Sequence, residues 1–364
     1  MPTIHELPTP ALLLDLDVLE ANLERMARRA EELGVALRPH LKTHKCVEIA
    51  QRQRALGAGG VTVSTLPEAR AFVAHGFDDV TWAFPLVLSR LDEVRALSTR
   101  ATLRLVVDSR EAVDAVIRLG VPLHIWLKVD CGYHRAGVDP SGELVVTLAR
   151  AIDTAPTLTF DGILSHSGHA YRGPTRREVL AAAIEERDTM VRCAERLRAA
   201  GIAVPAVSVG STPSMAVIDH LDGVDEARPG NYAFYDHTQV LLGSCAVRDC
   251  AVTVLASVVS CQPGGDHGVT DAGALALSKD RGRHDAPQQT MGELFDDYAA
   301  GRLQPEARLV SLSQEHGVIN APRPVGSRVR ILPNHSCLTV ACFDAYDVVR
   351  GEQVVDRWLI HRER

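Results

Sequence analysis

The segment RPHLKTHK, residues 38–45, places five basic or titratable side chains in eight positions. It holds two of the four lysines in the chain, whose other 35 basic residues are arginines. A buried ammonium group can lose its proton near neutral pH, whereas a guanidinium cannot. We expect Lys42 to lie buried beside Arg38 and the neighbouring His40 and His44, where burial and nearby positive charge favour the neutral amine. The pattern therefore predicts a lysine that forms an imine with an aldehyde. A solvated lysine at a strand end is the alternative.

Four other segments combine glycine with hydroxyl, imidazole, amide or guanidinium groups: KVDCGYHRAG (128–137), SHSGHAYRG (165–173), GSTPS (210–214) and RPGNYAFYD (228–236). GSTPS precedes a helical pattern, and the N–H groups and hydroxyls at a helix N-terminus can bind phosphate. A plain helix cap has the same composition, so both interpretations stay open. Together with a nucleophilic amine, GSTPS indicates an aldehyde cofactor that carries a phosphate group.

The segment PNHSC, residues 333–337, brings a histidine and a cysteine together. His335 and Cys337 are two positions apart on a strand-like run, so both side chains are expected on one face. Imidazole and thiolate are ligands that suit Zn²⁺, and two protein ligands would leave positions open for water and substrate. A buried histidine beside an apolar cysteine is the commoner meaning of this spacing, so the residues alone leave both interpretations open.

Eight strand-like runs alternate with helical patterns in the first two thirds of the chain. They cover residues 36–40, 60–64, 79–84, 103–108, 123–130, 160–166, 206–211 and 225–230. This alternation predicts an α/β fold, a parallel (β/α)8 TIM barrel, in which the carboxyl ends of the strands carry the active site. An open doubly wound sheet is the alternative, but no GxGxxG motif follows the first strand.

After residue 245 the pattern changes to short strand-like runs separated by turn residues, which predicts a C-terminal all-β domain. We expect a barrel domain over residues 11–243 and a β domain over residues 244–364. Residues 1–10 are expected to belong to the β domain. One helical pattern, at 290–301, interrupts the β domain. Residues 262–289 are polar and rich in glycine, and they are expected to form a long loop, either a lid or a surface loop.

Composition excludes several classes of protein. The 364 residues carry a net charge of −7 with a pI near 6.1 and no long basic block, which argues against nucleic acid as a partner. No apolar run is long enough to span a membrane. The eight cysteines form no CxxC pair and are expected to be reduced thiols. A cytoplasmic enzyme acting on a small molecule is the expectation.

The ordered segments TPALLLDLDVLEANL, RPHLKTHK, VSTLPEA, KVDCGYHRAG, GSTPS, RPGNYAFYD and PNHSCLT resemble one family nearly end to end. The chain is similar to the fold-type III pyridoxal-phosphate enzymes, whose barrel is that of alanine racemase. It looks most like the branch that contains D-serine dehydratase, D-threo-3-hydroxyaspartate dehydratase and D-threonine aldolase.

The resemblance implies roles for individual residues. Lys42 matches the lysine that forms the Schiff base, and Arg135 matches the arginine near the phenolic oxygen of the cofactor. Tyr171 would line the substrate side, and with His169 it is a candidate for proton transfer or substrate orientation. The remaining cofactor-binding positions implied by the match, mainly for the phosphate, are Ser211, Thr212, Gly230, Asn231 and Tyr232.

The resemblance also changes the interpretation of PNHSC. In this branch the dehydratases carry histidine and cysteine at the positions of His335 and Cys337, whereas the aldolases typically carry histidine and aspartate. The cysteine therefore favours a zinc-dependent dehydratase, with Mn²⁺ and Mg²⁺ as alternative metals. Relatives of this type are commonly homodimers in which the β domain of one subunit helps to complete the site of its partner, and we expect the same here.

The expected function is a D-amino acid dehydratase of the D-serine ammonia-lyase type, in which Zn²⁺ helps the β-hydroxyl of a D-amino acid to depart. The alternative is a D-threonine aldolase, which cleaves Cα–Cβ to give glycine and an aldehyde. Racemisation is less favoured because it needs a second base on the opposite face of the cofactor. A non-catalytic pyridoxal-phosphate carrier is a further alternative, but such carriers lack a β domain and the His–Cys pair.

Overall fold

The computed structural model describes residues 2–173, 175–283, 286 and 288–363. The chain divides into two compact units. The barrel unit is built mainly from Met26–Lys42 and Ala50–Gly230, and the β unit is built from Met1–Arg25, Thr43–Ile49 and Asn231–Arg362. Two of the passages of the polypeptide from one unit to the other lie within helices, α1 (Leu16–Glu32) and α2 (Val47–Ala55). Among the described residues, no helix is both long and apolar enough to cross a lipid bilayer.

The barrel unit contains a parallel sheet, which has eight strands within the described residues: β2 (Ala36–Leu37), β3 (Val61–Val63), β4 (Asp79–Pro85), β5 (Thr102–Val107), β6 (Leu123–Lys128), β7 (Leu158–Leu164), β8 (Ala206–Val209) and β9 (Glu226–Ala227). From β3 to β9 each strand pairs with the next one along the chain, and β9 pairs with β2. A parallel bridge between His40 and Thr62 joins the end of β2 to β3 and closes the ring. The predicted (β/α)8 barrel is thereby confirmed.

The helices that follow these strands are α3 (Leu66–Ala74), α4 (Leu91–Ser98), α5 (Arg110–Leu119), α6 (Glu143–Asp153), α7 (Arg176–Ala199) and α8 (Thr212–Val217). A side chain caps the N-terminus of α3, α5, α7 and α8. The Ser109 hydroxyl accepts a hydrogen bond from the Ala112 N–H at the start of α5, and Gly120 (φ 67°) ends the same helix in the left-handed conformation. Local sequence therefore sets where the strand–helix connections begin and end.

One layer of the barrel is ionic. Arg38 pairs with Asp79 at 2.8 Å and with Glu226, and Arg104 pairs with Asp79 at 2.8 Å and with Asp161 at 2.6 Å. Two of these pairs, Arg104 with Asp161 and Arg38 with Asp79, join strands that are not neighbours in the sheet, so the side chains must point into the barrel. Burial by itself would raise the pKa of Asp79, but the hydrogen bonds from Arg104 and Arg38 outweigh it and lower the pKa to about 2.

The β unit is built on a sheet of nine strands in the part of the chain that the structure describes: β1 (Ala11–Asp15), β10 (Val252–Ser260), β11 (Gly268–Thr270), β12 (Gly292–Asp297), β13 (Arg302–Leu312), β14 (Gly317–Ile319), β15 (Arg328–Leu332), β16 (Ala345–Arg350) and β17 (Gln353–Leu359). Strand order is β11-β14-β13-β12-β15-β10-β1-β16-β17, and β11 also pairs with β10, which closes a small antiparallel barrel. Three short helices accompany it: α9 (His237–Leu241), α10 (Ala274–Leu277) and α11 (Ser336–Val340).

Strand β1 differs from its predicted position at the start of the barrel domain. Residues Ala11–Asp15 pair antiparallel with β10 and parallel with β16, so they belong to the sheet of the β unit. All five of these residues are buried. A strand that is buried on both faces has no polar alternation, and its sequence therefore does not indicate which sheet will receive it.

Two further predictions about local structure are wrong. The pattern at 290–301 was predicted to be helical, but Gly292–Asp297 forms β12, which pairs with β13 and β15 and buries Leu294 and Phe295. Tertiary pairing outweighs helix propensity here. The described residues of the segment 262–289 are not one long loop, because they contain β11 and α10. Residues 284, 285 and 287 of that prediction lie outside the described residues.

Candidate active site

Lys42 follows β2 in the short 3₁₀ helix Leu41–Thr43, at the carboxyl end of a barrel strand. Its backbone N–H lies 3.5 Å from Nδ1 of His40. The side chain is exposed, which corrects the expectation that it is buried. Arg38 does not accompany it, because the Arg38 guanidinium points into the barrel and pairs with Asp79 and Glu226. An amine at the open end of the strands is accessible to a ligand.

A cluster of cations lies at the same end of the barrel around His166, which follows β7. Burial and the positive charges of Lys42, Arg135, Lys128 and Arg228 hold the pKa of His166 well below its ordinary value. Four cationic side chains surround this imidazole, and the carboxylates of Glu226 and Glu186 act on one of them, Arg228. Such an excess of positive charge attracts an anionic ligand.

Lys128 is the last residue of β6 and is 7% exposed. Burial, together with the charges of Arg228 and Arg135, lowers the pKa of Lys128 to about 8. The Arg228 guanidinium donates to the Ser208 hydroxyl and to the carbonyl oxygen of Ser165. No site role was expected from the sequence for Lys128, Arg228 or His166. Their position at strand ends and the scarcity of lysine were the signals that could have found them.

The aromatic ring of Tyr133 organises the loop that carries Arg135. The guanidinium of Arg135 lies 4.9 Å from the centre of this ring, and that of Arg172 lies 5.3 Å from it. The ring of His166 meets it edge-on at 6.1 Å. A Cβ atom at Gly168 would come within 2.3 Å of the ring, so only glycine leaves room for it. Tyr133 is a fourth site residue that was not expected from the sequence.

His169 and Tyr171 lie in the 3₁₀ helix Gly168–Arg172, directly after the end of β7. The ring of His169 packs against Tyr133, with the ring centres 6.4 Å apart. Neither ring nitrogen of His169 makes a hydrogen bond within the described residues, although Nε2 lies 3.4 Å from Oε2 of Glu185. The part of His169 in proton transfer or substrate orientation stays a prediction. Tyr171 is half-buried.

The segment GSTPS begins α8, and Ser211 caps this helix. A buried hydroxyl chain connects it to α7: Ser211 Oγ lies 2.8 Å from Ser214 Oγ, which lies 2.9 Å from Ser167 Oγ. The chain ends on Glu186, whose carboxylate accepts hydrogen bonds from Ser167 Oγ at 2.7 Å and from the Gly210 N–H at 3.3 Å. The capping interpretation of Ser211 is therefore confirmed, while phosphate binding by Ser211 and Thr212 stays a prediction.

The β unit holds the second group of predicted residues. Gly230 ends the barrel unit and Asn231 begins the β unit. Asn231 Nδ2 donates to Ser336 Oγ at 3.0 Å and lies 3.7 Å from Cys337 Sγ. Asn231 Oδ1 is buried without a hydrogen-bond partner among the described residues. Tyr232 is fully buried beside it in the 3₁₀ helix Asn231–Ala233.

His335 and Cys337 are neighbours in space, but not for the predicted reason. They do not lie on a strand, because His335 is the N-cap of α11 and Cys337 lies in its first turn. The Asp236 carboxylate holds this helix start by accepting from the Ser336 N–H at 2.9 Å and from the Ser336 hydroxyl at 3.2 Å. Burial would lower the pKa of His335, but hydrogen bonds to Asp280 and Cys337 raise it well above its ordinary value. Asp280 is a further residue that the sequence did not reveal.

The donor chemistry of this pair suits a metal ion with open positions. His335 offers an imidazole nitrogen and Cys337 a sulfur atom, which are the ligand types that Zn²⁺ prefers. Within the described residues, no cluster of three or more His, Cys, Asp or Glu side chains could hold a metal ion. A metal ion held by this pair would have two protein ligands, and water or substrate would have to supply the others.

Two family models match the chain. The model described as alanine racemase, N-terminal domain, matches residues 14–238, and a serine dehydratase domain model matches residues 251–349. D-threo-3-hydroxyaspartate dehydratase of Delftia sp. (strain HT23) is 39% identical over 98% of this chain and 98% of its own length. D-serine dehydratase of Dictyostelium discoideum is 34% identical over 97% and 96%, and D-threonine aldolase of Arthrobacter sp. is 32% identical over 97% and 92%.

The solved structure of D-threo-3-hydroxyaspartate dehydratase from Delftia sp. HT23 superimposes with a TM-score of 0.94 at 38% identity, covering 99% of both chains. Two mutant structures of that enzyme replace a histidine and a cysteine two positions apart, and the cysteine mutant is in a metal-free form. The resemblance inferred from sequence motifs is confirmed. This chain belongs to the alanine racemase-like, fold-type III family, in the branch that joins an alanine racemase N-terminal domain to a serine dehydratase domain.

Proposed function

We propose that the protein is a lyase that uses pyridoxal phosphate and Zn²⁺ to dehydrate a β-hydroxy D-amino acid, giving a keto acid and ammonia. The observation that carries the proposal is the cationic cluster around His166, with the exposed amine of Lys42 as one of its members. A ligand with an aldehyde, a phosphate and a phenolic oxygen matches an amine surrounded by positive charge. The substrates named for the dehydratase relatives, D-serine and D-threo-3-hydroxyaspartate, define the class to test.

The cofactor supplies one property when bound, which is to withdraw electrons from the Cα atom of an attached amino acid. The chain supplies the remainder. Lys42 would hold the cofactor covalently and, when released, would accept the proton from Cα. Arg135 would keep the phenolic oxygen anionic, and Ser211, Thr212 and the backbone of Gly230 and Asn231 would bind the phosphate. His169 would move a proton or orient substrate, and Tyr171 would line the substrate side.

His335 and Cys337 would hold Zn²⁺, which supplies Lewis acidity to the β-hydroxyl group of the substrate. Hydroxide is a poor leaving group, so a dehydratase needs this polarisation to expel it, whereas in an aldolase the metal would hold the hydroxyl group and help its deprotonation. The presence of cysteine beside histidine, which the resemblance associates with the dehydratases, supports dehydration over retro-aldol cleavage. A homodimer, and Mn²⁺ or Mg²⁺ as the metal, stay predictions.

One assay tests the proposal. Purified protein is incubated with D-serine or D-threo-3-hydroxyaspartate and assayed for keto acid, and with D-threonine and assayed for glycine, each with and without a chelator. We expect keto acid that disappears with chelator, and an imine absorbance band that disappears in Lys42→Ala. Formation of glycine without keto acid would indicate aldol cleavage and refute dehydration. An unchanged absorbance band in Lys42→Ala would refute the role of this lysine.

A further inference from the structure

Asp280 lies beside the proposed metal ligands although it is 55 residues away from His335 along the chain. Its Oδ2 atom lies 2.8 Å from Nδ1 of His335, a distance typical of a charge-assisted hydrogen bond. The carboxylate is 27% exposed and the imidazole 39% exposed, so solvent competes with this contact only in part. Asp280 belongs to the glycine-rich segment 262–289, which the sequence predicted to be a lid or a surface loop.

The carboxylate is held in place by its own surroundings. Asp280 Oδ1 accepts a hydrogen bond from the Gly282 N–H at 2.7 Å, so both carboxylate oxygens are engaged. The carbonyl oxygen of Asp280 accepts from Nδ2 of Asn334 at 3.1 Å, and the same amide nitrogen donates to the carbonyl oxygen of Thr290 at 2.7 Å. The residue directly before His335 therefore anchors the backbone that carries Asp280.

Gly282 shows how closely these two segments fit. Its φ of +65° is left-handed, and a Cβ atom there would come within 3.2 Å of Cγ of Asn334. A side chain at this position would be strained and would press on the anchor of Asp280. The contact between Asp280 and His335 is thus preorganised by the backbone and does not depend on a flexible side chain reaching across a gap.

This arrangement decides which nitrogen of His335 is available. A carboxylate at Nδ1 accepts the Nδ1–H proton, and the lone pair of the neutral ring then lies on Nε2. Histidine ligands of metal ions commonly donate their other N–H to a carboxylate, which fixes the orientation of the ring and strengthens its basicity.

We propose that Asp280 is a positioning residue for the metal, which fixes His335 as an Nε2 ligand beside Cys337. This inference rests on the proposed function, because it assumes that these two side chains bind Zn²⁺. It also assigns a role to the segment 262–289, because this segment carries the carboxylate that orients His335 at the start of α11.

The test measures metal binding by the full-length protein, independently of turnover. Zinc affinity is determined by competition with a chromophoric chelator for the wild type, Asp280→Asn and Asp280→Ala. We expect Asp280→Ala to weaken binding by roughly 10- to 100-fold, with Asp280→Asn intermediate. Co²⁺ substituted for zinc gives a second readout, because its ligand-field and sulfur charge-transfer bands report how the ring and the thiolate are placed. These bands should shift in Asp280→Ala.

The same segment offers a matched control. Asp266 forms a similar contact with a histidine, 2.9 Å from Nδ1 of His267, but this pair is exposed and distant in sequence from the metal motif. Asp266→Asn should bind zinc like the wild type. Circular dichroism of each variant checks that the fold is retained, and Asp280→Asn preserves the shape of the side chain if Asp280→Ala does not fold.

The outcomes separate the two proposals. If the wild type binds no zinc, or if His335→Ala binds as tightly as the wild type, the proposed metal site itself is wrong. If the wild type binds zinc, His335→Ala does not, and Asp280→Ala keeps both the affinity and the cobalt spectrum, only the role of Asp280 is refuted.

Discussion

We expect the buried charge of Lys128 to lower the stability of the folded protein. Its ammonium is buried next to Arg228 and Arg135, and these surroundings lower its pKa from 10.5 to about 8. Since the folded pKa lies below the unfolded one, the unfolded state binds more protons between pH 8 and pH 10.5. Stability must therefore rise with pH through this window. At pH 7 the difference of about 2.5 pKa units corresponds to a cost of about 3 kcal/mol.

Replacing Lys128 by methionine removes the charge and keeps the length of the side chain. We expect Lys128→Met to increase the free energy of unfolding by about 1–3 kcal/mol at pH 7 in cofactor-free protein, and to reduce affinity for pyridoxal phosphate because the positive site is weakened. Urea denaturation at pH 7, 8, 9 and 10 measures the first effect, and absorbance titration with the cofactor measures the second.

The pH dependence of stability tests whether the charge of Lys128 is the cause. The stability gain of Lys128→Met should shrink as pH rises from 8 to 10, because the wild-type lysine then loses its proton in the folded state. Lys279→Met, at an exposed lysine, should change stability by no more than about 0.5 kcal/mol at any of these pH values. A loss of stability in Lys128→Met, or a gain that does not depend on pH, would refute the reasoning.

Three further predictions concern the barrel unit. Asp79→Asn should be about 2 kcal/mol less stable than the wild type above pH 4. Because the pKa of Asp79 in the folded protein is lowered to about 2, this difference in stability should fall by about half at pH 3, as measured by urea denaturation. Glu186→Ala removes the acceptor of the buried Ser165 hydroxyl and of the Gly210 N–H, so it should cost about 3 kcal/mol of stability and speed the loss of cofactor, which is measured by absorbance after dilution. Gly168→Ala should displace the Tyr133 ring and lower kcat/KM by roughly 10- to 100-fold. Gly142→Ala is the control and should retain activity, because a Cβ atom there meets its nearest neighbours at 3.5 Å. Equal rates for the two variants would contradict this role of Tyr133.

The alternation of strands and helices was sufficient to predict the barrel, because each strand–helix unit is specified by nearby residues. Apolar periodicity, caps such as Ser109 and the left-handed Gly120 act within a few positions of one another. The same local reasoning failed at β12, where the helical pattern is overridden by pairing with two strands from elsewhere in the chain. It also failed at His335 and Cys337, which are adjacent because a helix begins between them and not because a strand alternates.

Sequence by itself determined the residue types that matter: a rare lysine after the first barrel strand, glycine and hydroxyl groups at later strand ends, and a histidine and a cysteine two positions apart. These features depend on local order, and they can be recognised before folding. Tertiary structure alone decided which charges share a space. Lys42, Lys128 and Arg228 come from three different strand ends, and Asp280 reaches His335 across 55 residues. Electrostatic fields and hydrogen bonds act through distance in space, so no reading along the chain could have assembled them.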